Sequence, residues 1–200
     1  MIKNYIGGIL GGVSISIGCI VNLSVGGGSL GAFLFSIGLL SICVFGYKLY
    51  TGAVCSLDRK NFTGILMILY GNLVGICVMA LLTRLTRPEL MTAAQKICES
   101  KLHEGWRVIP LGMLCNICIY FATTEFEKTV ERVCLLILSV MVFILAGFEH
   151  SIANTFYFCL TDFPARKVVP YLIMNIIGNG VGGVIMYRIV KETYKRCVIK

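Results

Sequence analysis

The stretch LAGFEHSIANTFYF, residues 145–158, places Glu149 and His150 side by side in one of the most apolar parts of the chain. Ionisable side chains are costly at the centre of a bilayer, so they normally face the protein interior and mark the path of a substrate or a proton. Ser151 and Asn154 add polarity beside them. This pattern favours a functional role for His150 over that of a packed core histidine.

The composition identifies the class of protein. Of the 200 residues, 57% are hydrophobic and 14% are charged, against about 25% charged residues in soluble domains. Six apolar stretches stand out, most of them near the length of about 20 residues that spans a bilayer. They cover residues 6–23, 30–54, 62–82, 108–122, 133–158 and 168–190. The sequence therefore predicts an all-α membrane protein with six transmembrane helices in a single domain, residues 1–200.

The formal net charge of +8 has a topological explanation, because Lys and Arg are enriched at the cytoplasmic ends of membrane spans. Alternating spans place many basic residues on one side, which predicts a multi-pass protein of the inner (plasma) membrane with both termini in the cytoplasm. That side carries Lys3, Arg59, Lys60, Lys128, Arg132, Arg188, Lys191, Lys195, Arg196 and Lys200. No basic stripe is interleaved with aromatic residues, so nucleic acid is not an expected partner.

The ten Cys residues are scattered, mostly within the spans, without the clustered spacing of a disulfide framework. Cys115 and Cys118 form a lone CxxC pattern, which inside a span is more typical of packing than of redox chemistry. With only two His in the chain, ligands for a metal centre are few. We expect no metal, no cofactor and no enzymatic activity. A membrane redox enzyme using these two cysteines and the histidines is the alternative from another class.

The two halves of the chain are weakly similar. FGYKLYTG, residues 45–52, and AGFEHSIA, residues 146–153, each contain Gly, an aromatic residue and a charged residue in succession. GNLVG, residues 71–75 in the third span, likewise matches GNGVGG, residues 178–183 in the sixth. These matches predict an internal repeat.

Each half, about residues 1–83 and 105–195, contains three spans, and this odd number makes the repeats inverted. Spans two and five are the longest, and Gly and polar residues interrupt them at corresponding positions. Interrupted helices face protein or a water-filled path, because lipid cannot satisfy their exposed backbone. The repeat therefore predicts a pore or binding site between these spans. Lys48 and Glu149 would serve there as functional charges or as a structural ion pair that joins the halves.

At these residues the chain resembles the formate/nitrite transporter family, the pentameric channels for small monovalent anions of weak acids. GFEHSIAN, residues 147–154, is similar to the family's most specific motif, and FSIGLLSICVFGYKLYTG, residues 35–52, to the signature of its second helix. GNLVG, GMLCN (residues 112–116) and GNGVGG follow in the family's order. The resemblance implies an aquaporin-like fold of two inverted three-helix repeats, with helices 2 and 5 broken, that forms a homopentamer in the lipid bilayer.

The resemblance also implies roles for individual residues. His150 corresponds to the central histidine, with Thr51 in the facing loop and Asn116 beside it on helix 4. Lys101 corresponds to a lysine that attracts anions at the outer entrance. The constrictions would be Phe35 and Phe143 on the outer side and Leu39, Tyr50 and Ile119 on the inner side, with Lys48, Glu149 and Asn154 as structural or electrostatic residues.

Four features depart from the family's pattern. Lys48 stands where an acidic residue usually precedes Leu-Phe-Thr, and Tyr50 replaces the Phe of that triplet. Compared with the family's pattern, we expect the N-terminal amphipathic helix to be largely missing and the connection between spans five and six to be short. Lys48 would either compensate Glu149 or bring a positive charge closer to the anion.

The expected mechanism follows from the cost of burying charge. Removing a carboxylate-sized ion from water costs several kcal/mol, whereas a neutral acid crosses an apolar constriction more easily. His150 can supply the proton, since the unperturbed pKa of histidine is about 6.5. With the anions that the resemblance implies, this predicts a channel for formate, nitrite or hydrosulfide with proton and anion as partners. The alternatives are a non-conducting membrane sensor or scaffold and a neutral-solute channel of the aquaporin type, whose paired Asn-Pro-Ala motifs this chain lacks.

Overall fold

The computed structural model describes residues 1–124 and 128–198, with side chains described as far as residue 193. Lys200 and the side chains of Lys195 and Arg196, expected on the cytoplasmic side, lie outside this part. Within the described ranges the chain is helical and contains no strand. The helices are α1 (Ile2–Ser24), α2 (Gly28–Phe45), α3 (Tyr50–Ala53), α4 (Phe62–Thr86), α5 (Leu90–His103), α6 (Val108–Thr123), α7 (Val130–Leu145), α8 (Ser151–Cys159) and α9 (Ala165–Val198).

Five continuous helical segments are long and apolar enough to cross a membrane, by length and composition. They are Ile2–Ser24, Gly28–Phe45, Phe62–Thr86, Gly105–Thr123 and Ala165–Thr193. The remaining expected span, residues 133–158, is divided between α7, of 16 residues, and α8, of 9. The count of continuous long helices is therefore five, where the sequence predicted six spans.

The outer surfaces of the long helices are apolar. Leu66 and Leu85 of α4, Leu138 of α7 and Ile173 of α9 are among the large hydrophobic side chains that are exposed on the isolated chain. Each exposes 45% or more of its surface, which is unfavourable in water but suited to a hydrocarbon environment or to a neighbouring protomer.

The two interruptions predicted from the repeat have the same backbone geometry. Gly46, with φ 72°, follows α2, and Gly147, with φ 70°, follows α7. This left-handed region favours glycine because it has no Cβ. The next residue in each case, Tyr47 or Phe148, donates its N–H to a carbonyl five residues earlier, at 3.0 Å and 2.9 Å. Each interruption thus satisfies its own backbone before the chain turns inward.

The first interruption is held by Asn72 of α4, whose side chain is fully buried. Its Oδ1 accepts from the backbone N–H of Tyr50 at 2.8 Å. Its Nδ2 donates to the carbonyls of Gly8 at 2.7 Å and Lys48 at 2.9 Å. One side chain therefore joins α1, α4 and the segment that precedes α3.

The second interruption is held in the same way by Asn179 of α9, which is also fully buried. Its Oδ1 accepts from the N–H of Ser151 at 2.8 Å. Its Nδ2 donates to the carbonyls of Gly112 and Glu149, both at 2.8 Å. Asn72 and Asn179 are the asparagines of GNLVG and GNGVGG, so the repeated letters correspond to a repeated set of bonds.

Glycines allow the helices of each half to pack closely. A Cβ on Gly75 of α4 would collide with the carbonyl of Ile9 on α1, and one on Gly182 of α9 with the carbonyl of Met113 on α6. Small residues at helix interfaces let backbones approach in membrane proteins. The third helix of each half therefore lies directly against the first.

Candidate functional site

His150 lies at the N-terminus of α8, and its side chain is buried. Its Nδ1 accepts the backbone N–H of Ala153 at 3.1 Å, which caps the helix. Because Nδ1 is the acceptor in this bond, the proton of the neutral ring lies on Nε2. Nε2 faces the hydroxyl oxygen of Thr51 at 3.2 Å. The ring is thus fixed on one side and presents its N–H to the opposite half of the molecule.

Thr51 and Asn116 complete the group that the sequence placed around His150. Thr51 belongs to α3 and Asn116 to α6, and both are fully buried. Asn116 donates Nδ2 to the carbonyl of Thr51 at 2.9 Å. The three predicted residues are therefore brought together from three helices, at the point where the two interruptions meet.

Two buried acceptors near this group have no hydrogen-bond partner among the described residues. They are Oδ1 of Asn116 and Oγ of Ser151. The Thr51 carbonyl fixes the orientation of the Asn116 amide, so Oδ1 must point away from that bond. A buried, unpaired oxygen costs about 1–3 kcal/mol, and such a group suits a water molecule or an O–H of a ligand.

An aromatic pair adjoins the histidine. The ring of Phe143 stacks on His150 with centroids 5.7 Å apart and an interplanar angle of 22°. Phe35 meets Phe143 edge to face at 6.1 Å. The two residues predicted for the outer constriction are thus in contact with each other, and one of them covers the imidazole.

The three residues predicted for the inner constriction come from three helices. Leu39 of α2 and Ile119 of α6 are each 1% exposed, and Tyr50 of α3 is 6% exposed. All three belong to the same apolar core. The Tyr50 hydroxyl donates to the carbonyl of Ile176 on α9 at 3.0 Å.

Glu149 is paired with Lys101 rather than with Lys48. The Nζ of Lys101 lies 2.6 Å from Oε2 of Glu149, and Nδ2 of Asn154 donates to the same oxygen at 2.6 Å. Lys48 is exposed, and its side chain lies against Gly7 of α1. The ion pair between Lys48 and Glu149, considered from the sequence, is therefore wrong, because a cation on α5 covers the carboxylate.

The structure adds Asn175 and Asn179 of α9, which the sequence reasoning missed as site residues. Asn175 donates Nδ2 to the carbonyl of Glu149 at 2.8 Å, and its Oδ1 accepts from Asn154 at 2.7 Å. Asn175 and Asn179 are four residues apart, so they share one face of the helix. Two Asn residues four positions apart within an apolar span are a sequence pattern from which both could have been predicted as site residues.

The second histidine of the chain, His103, lies elsewhere. It lines a cavity of about 440 Å³ between the end of α5 and the beginning of α9, together with Glu99, Arg166 and Lys167. His150 does not line this cavity. Arg166 and Lys167 are the Lys and Arg residues of its lining, and Lys101 does not line it.

Side chains that could bind a metal are dispersed in the part of the chain that the structure describes. No cluster of three or more His, Cys, Asp or Glu side chains that could hold a metal ion was found there. The described cysteines, including Cys115 and Cys118, are free thiols.

Comparison with known proteins identifies the family. The chain matches the formate/nitrite transporter family over residues 1–191. It belongs to this family and is therefore a membrane protein. This confirms the resemblance inferred from the motifs.

Curated relatives cover most of the chain. The formate channel BtFdhC of Bacillus thuringiensis is 31% identical, over 86% of this chain and 80% of that protein. The formate channel FocA of Escherichia coli K12 is 26% identical, over 90% and 83%. These relatives are channels, not enzymes, by their names.

Solved structures have the same fold. A pentameric formate channel with formate bound superposes with a TM-score of 0.83 at 25% identity, covering 100% of this chain and 98% of that one. An ion channel of the formate/nitrite transporter family gives a TM-score of 0.85 at 19% identity, covering 96% and 90%. The helical arrangement described above is thus a channel fold of this family.

Proposed function

We propose that this protein conducts the small monovalent anions of weak acids, formate, nitrite or hydrosulfide, and that His150 transfers a proton to the anion on the way. The observation that carries the proposal is the buried contact between Nε2 of His150 and the hydroxyl of Thr51. It joins the two interruptions, one from each half, beside an apolar constriction. The relatives named as formate channels support formate in particular.

The chemistry follows from the cost of a bare anion. An unpaired carboxylate in an apolar passage costs several kcal/mol. In the proposed cycle a hydronium ion from the entry side gives a proton to Nδ1, which releases the Ala153 N–H from the ring. The Nε2 proton of the imidazolium then passes to the anion, directly or through the Thr51 hydroxyl or a water molecule. A further hydronium ion from the entry side returns a proton to Nε2 before the next anion arrives. The neutral acid crosses the next constriction and gives its proton to water on the far side.

Asn116 has a defined place in this scheme. Its N–H group is engaged with Thr51, so it presents an acceptor, Oδ1, without a partner among the described residues. An acceptor repels an anion but bonds the O–H of a neutral acid. Asn116 would therefore hold the substrate after the proton has moved.

The outer charges would draw the anion toward the pore. The carboxylate of Glu149 lies 2.6 Å from Nζ of Lys101 and offsets its positive charge. Lys101 would therefore attract anions only over a short distance. Arg166 and Lys167 of the neighbouring cavity add longer-range attraction. Lys101 and Asn154 would also hold Glu149 and thereby position His150, the next residue in the chain.

The architecture that fits this function has six spans in two inverted repeats of three, about residues 1–83 and 105–195. The fifth span would be α7 and α8 together, and the second would be α2 with α3, each broken at its glycine. The pentameric neighbour supports a homopentamer. The proposed location is the inner (plasma) membrane with both termini in the cytoplasm.

Uptake into liposomes tests the function. We expect wild-type protein to take up formate, nitrite or hydrosulfide with a dependence on pH that His150→Asn and His150→Ala abolish. His103→Asn is the matched control, because it removes the other histidine and should leave the pH dependence unchanged. Equal uptake by the His150 variants would refute the relay, and absence of anion uptake by wild type would favour a sensor or scaffold.

A further inference from the structure

Tyr50 forms an unusual bridge between the two halves of the molecule. It is the first residue of α3, and it is 6% exposed. Its hydroxyl donates to the carbonyl of Ile176, on α9 of the other half, at 3.0 Å. A buried tyrosine hydroxyl normally needs such a partner, so the bond favours one orientation of the ring.

A second, independent feature concerns the surface of α9 that receives the hydroxyl. A Cβ built on Gly180 would lie 3.1 Å from the Tyr50 oxygen and 3.6 Å from Cγ2 of Val54. A contact of 3.1 Å between carbon and this oxygen is tighter than ordinary packing. Gly180 thus leaves the space in which the Tyr50 hydroxyl reaches the carbonyl four residues earlier.

The remainder of α3 is also fixed, but through its backbone. The N–H of Tyr50 is bound to Asn72 of α4, and the carbonyl of Thr51 accepts from Asn116 of α6. Among the described residues the Tyr50 hydroxyl has one hydrogen bond, to Ile176, and the ring otherwise packs in the apolar core. Without this bond the ring could turn about its side-chain dihedrals, and α3 would lose this attachment to the main chain of α9.

We propose that the Tyr50–Ile176 bond holds the inner constriction at one width, so that Tyr50 is a positioning residue that determines the size of acid that passes. This inference rests on the proposed function, since it concerns the same passage. The ring of Tyr50 stands with Leu39 and Ile119 in that constriction. Its attachment to the main chain of a long helix removes the motion that would widen the opening.

Removal of the hydroxyl is the direct test. In liposomes, Tyr50→Phe should raise the uptake of a larger acid, such as lactate, relative to formate by about fivefold, the population change that one hydrogen bond of ordinary strength supports. Tyr47→Phe is the control, because it makes the same chemical change three residues away, where the hydroxyl has no partner among the described side chains. It should leave the ratio unchanged.

Gly180→Ala tests the same bond from the other side. The added methyl group should displace the hydroxyl and shift the uptake ratio in the same direction as Tyr50→Phe. In Tyr50→Phe the oxygen is gone, so Gly180→Ala should add little to it. Independent, multiplying effects of the two substitutions, or an unchanged ratio in Tyr50→Phe, would overturn the proposal.

A measurement that does not depend on transport distinguishes failure of this inference from failure of the proposed function. Hydrogen–deuterium exchange at the amides of Ala53 and Leu57, which are bonded within this segment, should be faster in Tyr50→Phe and unchanged in Tyr47→Phe. Equal exchange in both variants would count against the bond as a positioning element. If wild type carries no acid but exchange responds as expected, the proposed function fails and the attachment of α3 stands, while its role in selectivity is refuted.

Discussion

Asn179 makes in the second half of the chain the bonds that Asn72 makes in the first. Each accepts a backbone N–H from the residue that begins a short helix, Ser151 or Tyr50, at 2.8 Å. Each donates to the carbonyl two residues before that N–H and to a carbonyl of the first helix of its own half. One buried amide thus connects each interruption to the first helix of its own half.

Replacement of either amide should destabilise the protein to a similar extent. Asn72→Ala and Asn179→Ala each leave a buried N–H without its acceptor, and we expect a loss of about 1–3 kcal/mol in the free energy of unfolding. Unfolding in detergent by denaturant measures this loss. Asn4→Ala is the control, since its single side-chain bond, to Gly64, is long at 3.4 Å. A loss at only one of the two positions would contradict the equivalence of the halves.

The Lys101–Glu149 pair should show strong coupling in a double-mutant cycle. Lys101→Met leaves a carboxylate that is 4% exposed without its cation, at a cost of about 3–5 kcal/mol. In the double variant with Glu149→Gln the buried charge is absent, and Asn154 can still donate to the amide oxygen. Most of the stability should therefore return. Additive losses in the thermal or denaturant unfolding of the four proteins would argue that the two groups act independently.

Charge reversal at the two corresponding positions should have unequal effects. Lys48 is exposed, so Lys48→Glu should change the free energy of unfolding by no more than about 0.5 kcal/mol. Glu149→Lys would bury a second cation beside Lys101 and should cost several kcal/mol or prevent folding. Yield and thermal stability of the purified proteins compare them. A well-folded Glu149→Lys protein would show that this pocket tolerates positive charge.

Phe143→Leu should widen the outer constriction. The substitution removes the stack on His150 and the edge contact with Phe35, contacts worth about 0.5–1.5 kcal/mol each beyond burial. We expect lower stability and faster uptake of larger acids, measured in liposomes. Phe45→Leu is the matched control, because Phe45 is 68% exposed at the end of α2. Equal effects on uptake would place the constriction elsewhere.

The internal repeat is a prediction from residue types that have few structural uses. Gly46 and Gly147 stand where the backbone has positive φ, and the asparagines of the two GN pairs make the supporting bonds. The apolar composition predicted the membrane class in the same way. The described part of the chain has five long continuous helices rather than six, because α7 ends at Leu145, before Gly147, after only 16 residues.

The sequence by itself determined the family, because motifs and hydrophobic spacing are local properties of the chain. The interruptions and the roles of His150, Thr51 and Asn116 are predictions from the same motifs. Only the tertiary structure decided which cation meets Glu149. Lys101 is 48 residues away along the chain, and the approach of α5 to the interruption depends on how all the helices pack. The sequence did not indicate the partner of the Tyr50 hydroxyl for the same reason. Every residue has a backbone carbonyl, so the residue types do not show that the carbonyl 126 residues away accepts this bond.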